Sequence, residues 1–487
     1  MLFNSVVFIT IFLPVALLGW YLLQRLENPV YAKAFIVGMS LWFYGYYNIN
    51  YLWILLISLG FNYLLSYFFE RLQEGRGRKT LLYAGIFGNI GLLFYFKYFN
   101  FFIDNCNFFL HKDIILEKIA LPLGISFFTF QQLSFVIERY RGNAPHYAME
   151  DYCFFVSFFP QLVAGPIVLH SELIPQLRER NNRYFSLDKF YDGLTLFILG
   201  LAKKVLLADS LAVLVGAEYA NIGALDCPSA WVVICWYMME LYFDFSGYCD
   251  MARGIGKMFG FWLPENFDSP FRATSVREFW RRWHKTLSRF LTQYVYIPLG
   301  GNRKGKYRQA FNLLVVFLVS GVWHGANWTF IVWGVMHGLA VVFETLFPKV
   351  RFKWEWLNRL CTAVFVTLSF SIFRSDSLSM ALELWQRLFA GGVSGMFLGV
   401  CNVLQYPENY ALIKLLDIAA PHLLNILFVG TFLLITVVAV VLIRGLKAEQ
   451  WLEKYARTTR GTICLATLFV WSFVSLSQVS VFLYFNF

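Results

Sequence analysis

Thirteen apolar runs recur along this chain, near 5–23, 31–47, 50–69, 80–98, 119–137, 152–168, 190–208, 229–249, 311–333, 335–347, 359–373, 424–443 and 462–483. A helix needs about 17–25 apolar residues to cross a bilayer. In hydrocarbon each backbone N–H and C=O must find its partner within the protein, which is the requirement a helix meets. The pattern predicts an all-α polytopic membrane protein with about eleven to thirteen spanning or re-entrant helices. Composition agrees: 58% of the 487 residues are hydrophobic, 20% aromatic and only 15% charged, against about 25% charged in soluble domains. The runs at 119–137 and 152–168 are interrupted by Gly and Pro, and are expected to be tilted or re-entrant, with irregular backbone lining a cavity enclosed by protein.

No Lys or Arg precedes the first run, and Arg25 and Lys33 follow it, so it reads as a retained helix and not a cleaved signal. Basic clusters at 71–79, 178–183, 303–308 and 444–460 belong on the cytoplasmic side by the positive-inside rule, which puts both termini outside. The formal charge of +11 is then accounted for by topology and anionic membrane lipid, and nucleic-acid binding is not expected. No internal repeat or long polar stretch divides the sequence, so one membrane domain over 1–487 is the expected organisation. Eight cysteines are scattered through apolar sequence without CxxC spacing. They suggest packed thiols, with neither a zinc site nor a disulfide framework.

Chemistry is expected where ionisable residues interrupt the apolar sequence, because such groups are costly in a membrane and normally face an interior or wet cavity. Two histidines stand out, in Trp283-His284 and in Trp323-His324-Gly325. From Val276 to Leu291 the spacing predicts one amphipathic helix, with Val276, Phe279, Trp280, Trp283, Leu287, Phe290 and Leu291 on one arc and Arg and Lys opposite. Such a helix lies in the membrane interface. Its arginines form either a cationic rim beside His284 that holds a phosphate-bearing donor, or an anchor for lipid headgroups.

His324 closes a longer apolar run. Gly321 and Gly325 make a small-xxx-small pair that lets another helix approach closely. Beside a cavity, neutral His324 could instead act as a general base toward an attacking hydroxyl. His337, in Trp333-Gly334-Val335-Met336-His337-Gly338, reads as structural. Asp244 and Asp250, set in Glu240-Leu241-Tyr242-Phe243-Asp244-Phe245-Ser246-Gly247-Tyr248-Cys249-Asp250, fit a structural ion pair better than a histidine-orienting role. Gly300 to Lys306 fits the GxxxxGK frame but continues with Tyr307, so the magnesium-binding hydroxyl is missing. Gly254, Gly256 and Gly260 are misspaced for a dinucleotide fingerprint, and neither HExxH nor GxSxG occurs.

Several further stretches complete a pattern: Leu121-Pro122-Leu123-Gly124-Ile125-Ser126-Phe127-Phe128-Thr129-Phe130-Gln131, Tyr140-Arg141-Gly142, Phe159-Pro160-Gln161-Leu162-Val163-Ala164-Gly165-Pro166 and Leu241 to Tyr248. They continue with Pro264-Glu265-Asn266-Phe267, Glu278 to His284, Tyr296-Ile297-Pro298-Leu299-Gly300-Gly301-Asn302-Arg303, Trp323-His324-Gly325, Phe373-Arg374 and the terminal Phe482 to Phe487. In this order the chain resembles the bacterial branch of the membrane-bound O-acyltransferase family. The sequence departs from the alginate-type members at Leu291-Thr292-Gln293-Tyr294, where they are expected to have Leu-Arg-Asp-Tyr.

The resemblance implies helices around a central funnel where the membrane is thin and a cytoplasmic thioester meets an extracytoplasmic acceptor. It implies a bacterial cytoplasmic-membrane enzyme with no bound cofactor, using acetyl-CoA as donor and a cell-envelope polysaccharide of alginate, cellulose or peptidoglycan type as acceptor. A partner resembling an extracytoplasmic SGNH hydrolase would complete the transfer. His324 and His284 become the expected catalytic residues, with Trp280, Arg281, Arg282, Trp323, Asn266, Asn327 and Asp250 expected around the substrate. D-alanyl transfer from a carrier protein to teichoic acid, or transport of a lipid-linked glycan without chemistry, are the other readings.

Overall fold

The computed structural model describes residues 1–487 apart from 113, 116–118, 180, 181, 395, 446, 479–481 and 484–487. Tyr484 to Phe487 of the terminal motif, and Arg180 of the basic 178–183 cluster, therefore lie outside the described residues. All regular structure among the described residues is helical. The backbone falls into two compact units, residues 1–197 with 248–265, and residues 198–247 with 266–487.

In the first unit, Asn48 caps the helix Ile49–Arg71 by accepting from the Asn50 amide at 3.0 Å. That helix buries a polar stripe. Asn62 and Asn89 exchange amide hydrogen bonds at 2.6 and 3.0 Å, and Ser58 and Asn62 both donate to the Gln132 side chain at 2.6 Å. In apolar surroundings each unmade bond would cost a desolvated polar group, so the cluster ties Ile49–Arg71 to the helices Arg76–Leu93 and Ile125–Arg141.

The irregularity expected at 119–137 and 152–168 is present. Gly124 takes a left-handed conformation (φ 72°) before Ile125–Arg141 begins. The second run breaks at Phe158 into Met149–Ser157 and the single turn Phe159–Leu162.

Among the described residues, five helical stretches are long and apolar enough to cross a membrane, at Ile49–Arg71, Arg76–Leu110, Trp328–Leu346, Glu355–Arg374 and Pro421–Arg444, and Phe8–Leu23 and Thr459–Val474 are shorter apolar helices. Two of the expected runs are redistributed. The run at 311–333 is not one span: the helix Lys306–His324 ends there, the chain reverses over Gly325 to Asn327, and Trp328–Leu346 absorbs the run at 335–347. Asn327 starts the second helix, accepting from the Thr329 amide at 3.1 Å.

These two helices form an antiparallel hairpin in the second unit. A Cβ on Gly321 would stand 2.5 Å from the Phe330 carbonyl oxygen, and one on Gly334 2.5 Å from that of Phe317. Only hydrogen fits at either place. The Gly321 half of the small-residue expectation is thus a helix crossing, whereas Gly325 faces the Phe330 ring, 2.0 Å from where its Cβ would be.

Candidate active site

The expected continuous helix from 276 to 291 is two helices, Val276–Arg282 and Lys285–Leu291. The break falls on the Trp283-His284 pair: Trp283 is extended and His284 is left-handed at φ 45°, ψ 52°. Side-chain periodicity runs through the break unchanged, so the pattern alone favoured one helix. A neighbouring segment supplies what the helix gives up. The Asp268 amide donates to the Arg282 carbonyl at 2.8 Å, and the Lys285 amide to the Asn266 carbonyl at 2.9 Å. Left-handed geometry costs a residue with a Cβ about 1–2 kcal/mol, and strain of this kind persists where surrounding bonds over-determine it.

Asn266 determines the state of His284. Its side-chain oxygen accepts from the Thr286 amide at 3.2 Å and the Thr286 hydroxyl at 3.0 Å, and it lies 3.1 Å from His284 Nδ1. A backbone amide can only donate, so the Asn266 atom is oxygen and His284 Nδ1 must carry the proton. His284 Nε2 is then the unprotonated nitrogen. The side chain is wholly buried, with Phe245 edge-on at 4.8 Å and Trp323 at 6.1 Å between ring centroids. Burial first, and the neighbouring His324 second, hold the imidazole well below its usual pKa.

His324 reaches the same tautomer by another route. Its Nδ1 lies 2.6 Å from the carbonyl oxygen of Ser320, one turn back in its own helix. A carbonyl only accepts, so Nδ1 is protonated and Nε2 is the basic nitrogen. The ring is 5% exposed and sits among Trp323 (4.9 Å), Trp333 (4.9 Å) and Phe373 (5.4 Å). Trp323 touches both histidines, which places them in one aromatic enclosure.

His337 is held at both nitrogens. Trp280 Nε1–H donates to its Nδ1 at 3.1 Å, its Nε2–H donates to Ser369 Oγ at 2.8 Å, and that hydroxyl donates to the Val366 carbonyl at 2.8 Å. A histidine so engaged is a structural crosslink joining Val276–Arg282, Trp328–Leu346 and Glu355–Arg374.

The remaining expected residues are distributed unevenly. Trp280 is buried with its indole N–H on His337. Arg282 bonds the Glu278 carboxylate at 2.9 Å and the Asp268 carbonyl at 3.1 Å, while Arg281 is exposed. Asn327 spends its oxygen on the Thr329 cap and its amide on the Asp376 carbonyl at 2.8 Å. Asp250 belongs to the other unit, 3.9 Å from Arg253.

Asp244 is a structural anion, as its setting suggested. Lys204 bridges it and Asp209, at 2.7 Å to each, and the Leu483 amide donates to it at 2.9 Å. Ser320, Ser369 and Lys204 were not singled out in the sequence, where a serine or lysine carries no mark of the partner it meets. Glu344 is another: its carboxylate accepts from the Val276 and Arg277 amides at 2.7 and 3.0 Å, holding the first turn of Val276–Arg282.

Two histidines with Nδ1 protonated and Nε2 basic, buried in one aromatic enclosure, can take a proton from a hydroxyl and return it to a leaving group. Comparison with known proteins gives the reaction class. The model of the membrane-bound O-acyltransferase family matches residues 41–381. The chain is 37% identical to the peptidoglycan O-acetyltransferase of Helicobacter pylori, over 100% of this chain and 98% of that protein. It is also 37% identical to the probable alginate O-acetylase AlgI of Pseudomonas aeruginosa, over 80% of this chain and 75% of that one. With the teichoic acid D-alanyltransferase of Bacillus subtilis identity is 26%, over 51% of this chain and 65% of the other.

The chain belongs to the membrane-bound O-acyltransferase family. It is accordingly a membrane enzyme that transfers acyl groups.

Proposed function

We propose that the protein transfers acetyl from cytoplasmic acetyl-CoA, across the bacterial inner membrane, to a hydroxyl of a cell-envelope polysaccharide, with His324 as the base. The observation that carries this reading is the Nδ1–H of His324 on the Ser320 carbonyl, which leaves Nε2 as the proton acceptor within a buried aromatic enclosure. The acceptor oxygen, on the glycan or on a partner protein that relays the acetyl group to it, attacks the thioester carbonyl as its proton passes to His324 Nε2. The tetrahedral intermediate collapses, the carbon–sulfur bond breaks, and the proton goes from His324 to the departing thiolate. His284 has a basic Nε2 and a fixed ring. We assign it to orienting the attacking hydroxyl or the acyl group. The relatives named for peptidoglycan and alginate O-acetylation support the acceptor class.

An extracytoplasmic hydrolase-like partner would carry the acetyl group to the polymer. Pull-down of the tagged protein from envelope fractions tests it, and polymer acetylation by the purified protein alone would refute it. D-alanyl transfer from a carrier protein is the second reading, favoured by the D-alanyltransferase likeness.

Transfer of radiolabel from acetyl-CoA by the protein in liposomes, wild type beside His324→Ala, tests the assignment. Turnover only in the wild type is expected. Equal turnover in the two would remove His324 from the chemistry, and turnover with a D-alanyl carrier but not acetyl-CoA would replace the donor.

A further inference from the structure

The loop joining Trp328–Leu346 to Glu355–Arg374 alternates cations with bulky apolar side chains: Lys349, Val350, Arg351, Phe352, Lys353, Trp354. All six are exposed, Val350, Phe352 and Trp354 by 63%, 54% and 61%. None of the three cations forms an ion pair among the described residues. The nearest carboxylate in sequence, Glu355, is occupied by Arg359. Asn358 fixes the loop, accepting from the Phe352 amide at 3.0 Å and donating to its carbonyl at 2.9 Å.

The loop joins two helices that are each long and apolar enough to span, so it emerges where hydrocarbon gives way to headgroups. The hairpin register adds a second basic segment at the same end. Gly334 meets Phe317, and Gly338 meets Leu314, so continuing the antiparallel register brings Lys306 level with the end of Trp328–Leu346. Arg303, Lys304 and Lys306 are exposed there and likewise outside any ion pair among the described residues.

We propose that the 347–354 loop, together with the Arg303–Lys306 segment, is a docking surface for anionic phospholipid. Aromatic side chains settle at the headgroup level of a bilayer, and each nearby cation gains from a negative lipid surface. Zwitterionic lipid offers the aromatics the same boundary but leaves the cations without a counter-charge. The surface lies one short step from the site helix. Glu344 and Thr345, just before the loop, bond the Val276 amide and the Arg277 side chain. Lipid bound here bears on the helix that leads into His284.

Photocrosslinking of the full chain in phosphatidylcholine–phosphatidylglycerol vesicles tests this. Matched photoactivatable phosphatidylglycerol and phosphatidylcholine probes are used, and labelled peptides are read by mass spectrometry. The phosphatidylglycerol probe is expected to label residues 347–356 preferentially. The preference should collapse in high salt, which needs no variant, and fall about fivefold or more in the Lys349→Gln, Arg351→Gln, Lys353→Gln protein. Equal labelling by the two probes, or an unchanged preference in the triple variant or in high salt, would overturn the proposal. Displacement of the lipid label by millimolar coenzyme A would assign the cations to the donor's phosphates instead, and would overturn it equally.

Discussion

The side-chain oxygen of Asn266 accepts from both the amide and the hydroxyl of Thr286, and this fixes the proton of His284 on Nδ1. One oxygen serves three donors, so its loss has a defined signature. Asn266→Asp keeps the acceptor and should retain most turnover. Asn266→Ala leaves buried donors unsatisfied, at about 1–3 kcal/mol, and should lower turnover about 10–100-fold, as removing a histidine-orienting group does. Turnover and thermal unfolding of the two variants check this.

His284 occupies a left-handed position. Asparagine tolerates that region and β-branched residues do not. His284→Asn should therefore fold near normally while turnover drops at least about tenfold. His284→Val should lose about 1–2 kcal/mol or more to backbone strain. Equal unfolding temperatures for the two would contradict the backbone assignment.

Trp280→Phe and Ser369→Ala each remove a bond from the His337 crosslink. The expected result is a stability loss of about 1–3 kcal/mol, with the KM for the acyl donor unchanged in the protein that remains folded. A raised KM in Trp280→Phe would return that indole to the substrate.

Gly334→Ala places a methyl group 2.5 Å from the Phe317 carbonyl oxygen, and both neighbours are backbone. The helices must separate, so folded protein should fall sharply on size-exclusion chromatography. Gly430→Ala, where a Cβ meets nothing within 4 Å, serves as the tolerant control.

Asp226 accepts from the Ser229 amide at 3.1 Å and the Ser394 amide at 3.0 Å, tying the residue before the helix Cys227–Met258 to a distant loop. Burial would raise its pKa, but these bonds outweigh it and hold the carboxyl at about 2. With the folded value below the unfolded one, about 3.9, its contribution is whole above that pH and is lost as pH falls toward 2. Asp226→Asn should destabilise at neutral pH by about 1 kcal/mol, and the difference from wild type should shrink below pH 4. An Asn penalty that stays constant down to pH 2 would contradict this.

Much of the candidate site was legible because hydrocarbon makes polar residues conspicuous. His284, His324 and the close packing at Gly321 all follow from residues that are expensive or undersized in an apolar run. The break at His284 was not legible, since Phe279, Trp280, Trp283 and Leu287 keep helical spacing across it, and the reason for the break is the Asn266–Asp268 backbone alongside. The resemblance set Trp280 beside the substrate, and its bond to His337, 57 residues away, has no mark in the sequence. Lys204 answers Asp244 across 40 positions, and nothing in either sequence neighbourhood announces the pairing.

The glycine crossing of the hairpin carries a consequence for how His324, the proposed base, is mounted. At Gly321 and Gly334 the two helices meet main chain to main chain, so their separation is set by atoms common to every residue and not by any side chain's length or rotamer. His324 stands three residues past Gly321. Sequence drift elsewhere on either helix can alter its surroundings, but hardly the depth at which the imidazole is held.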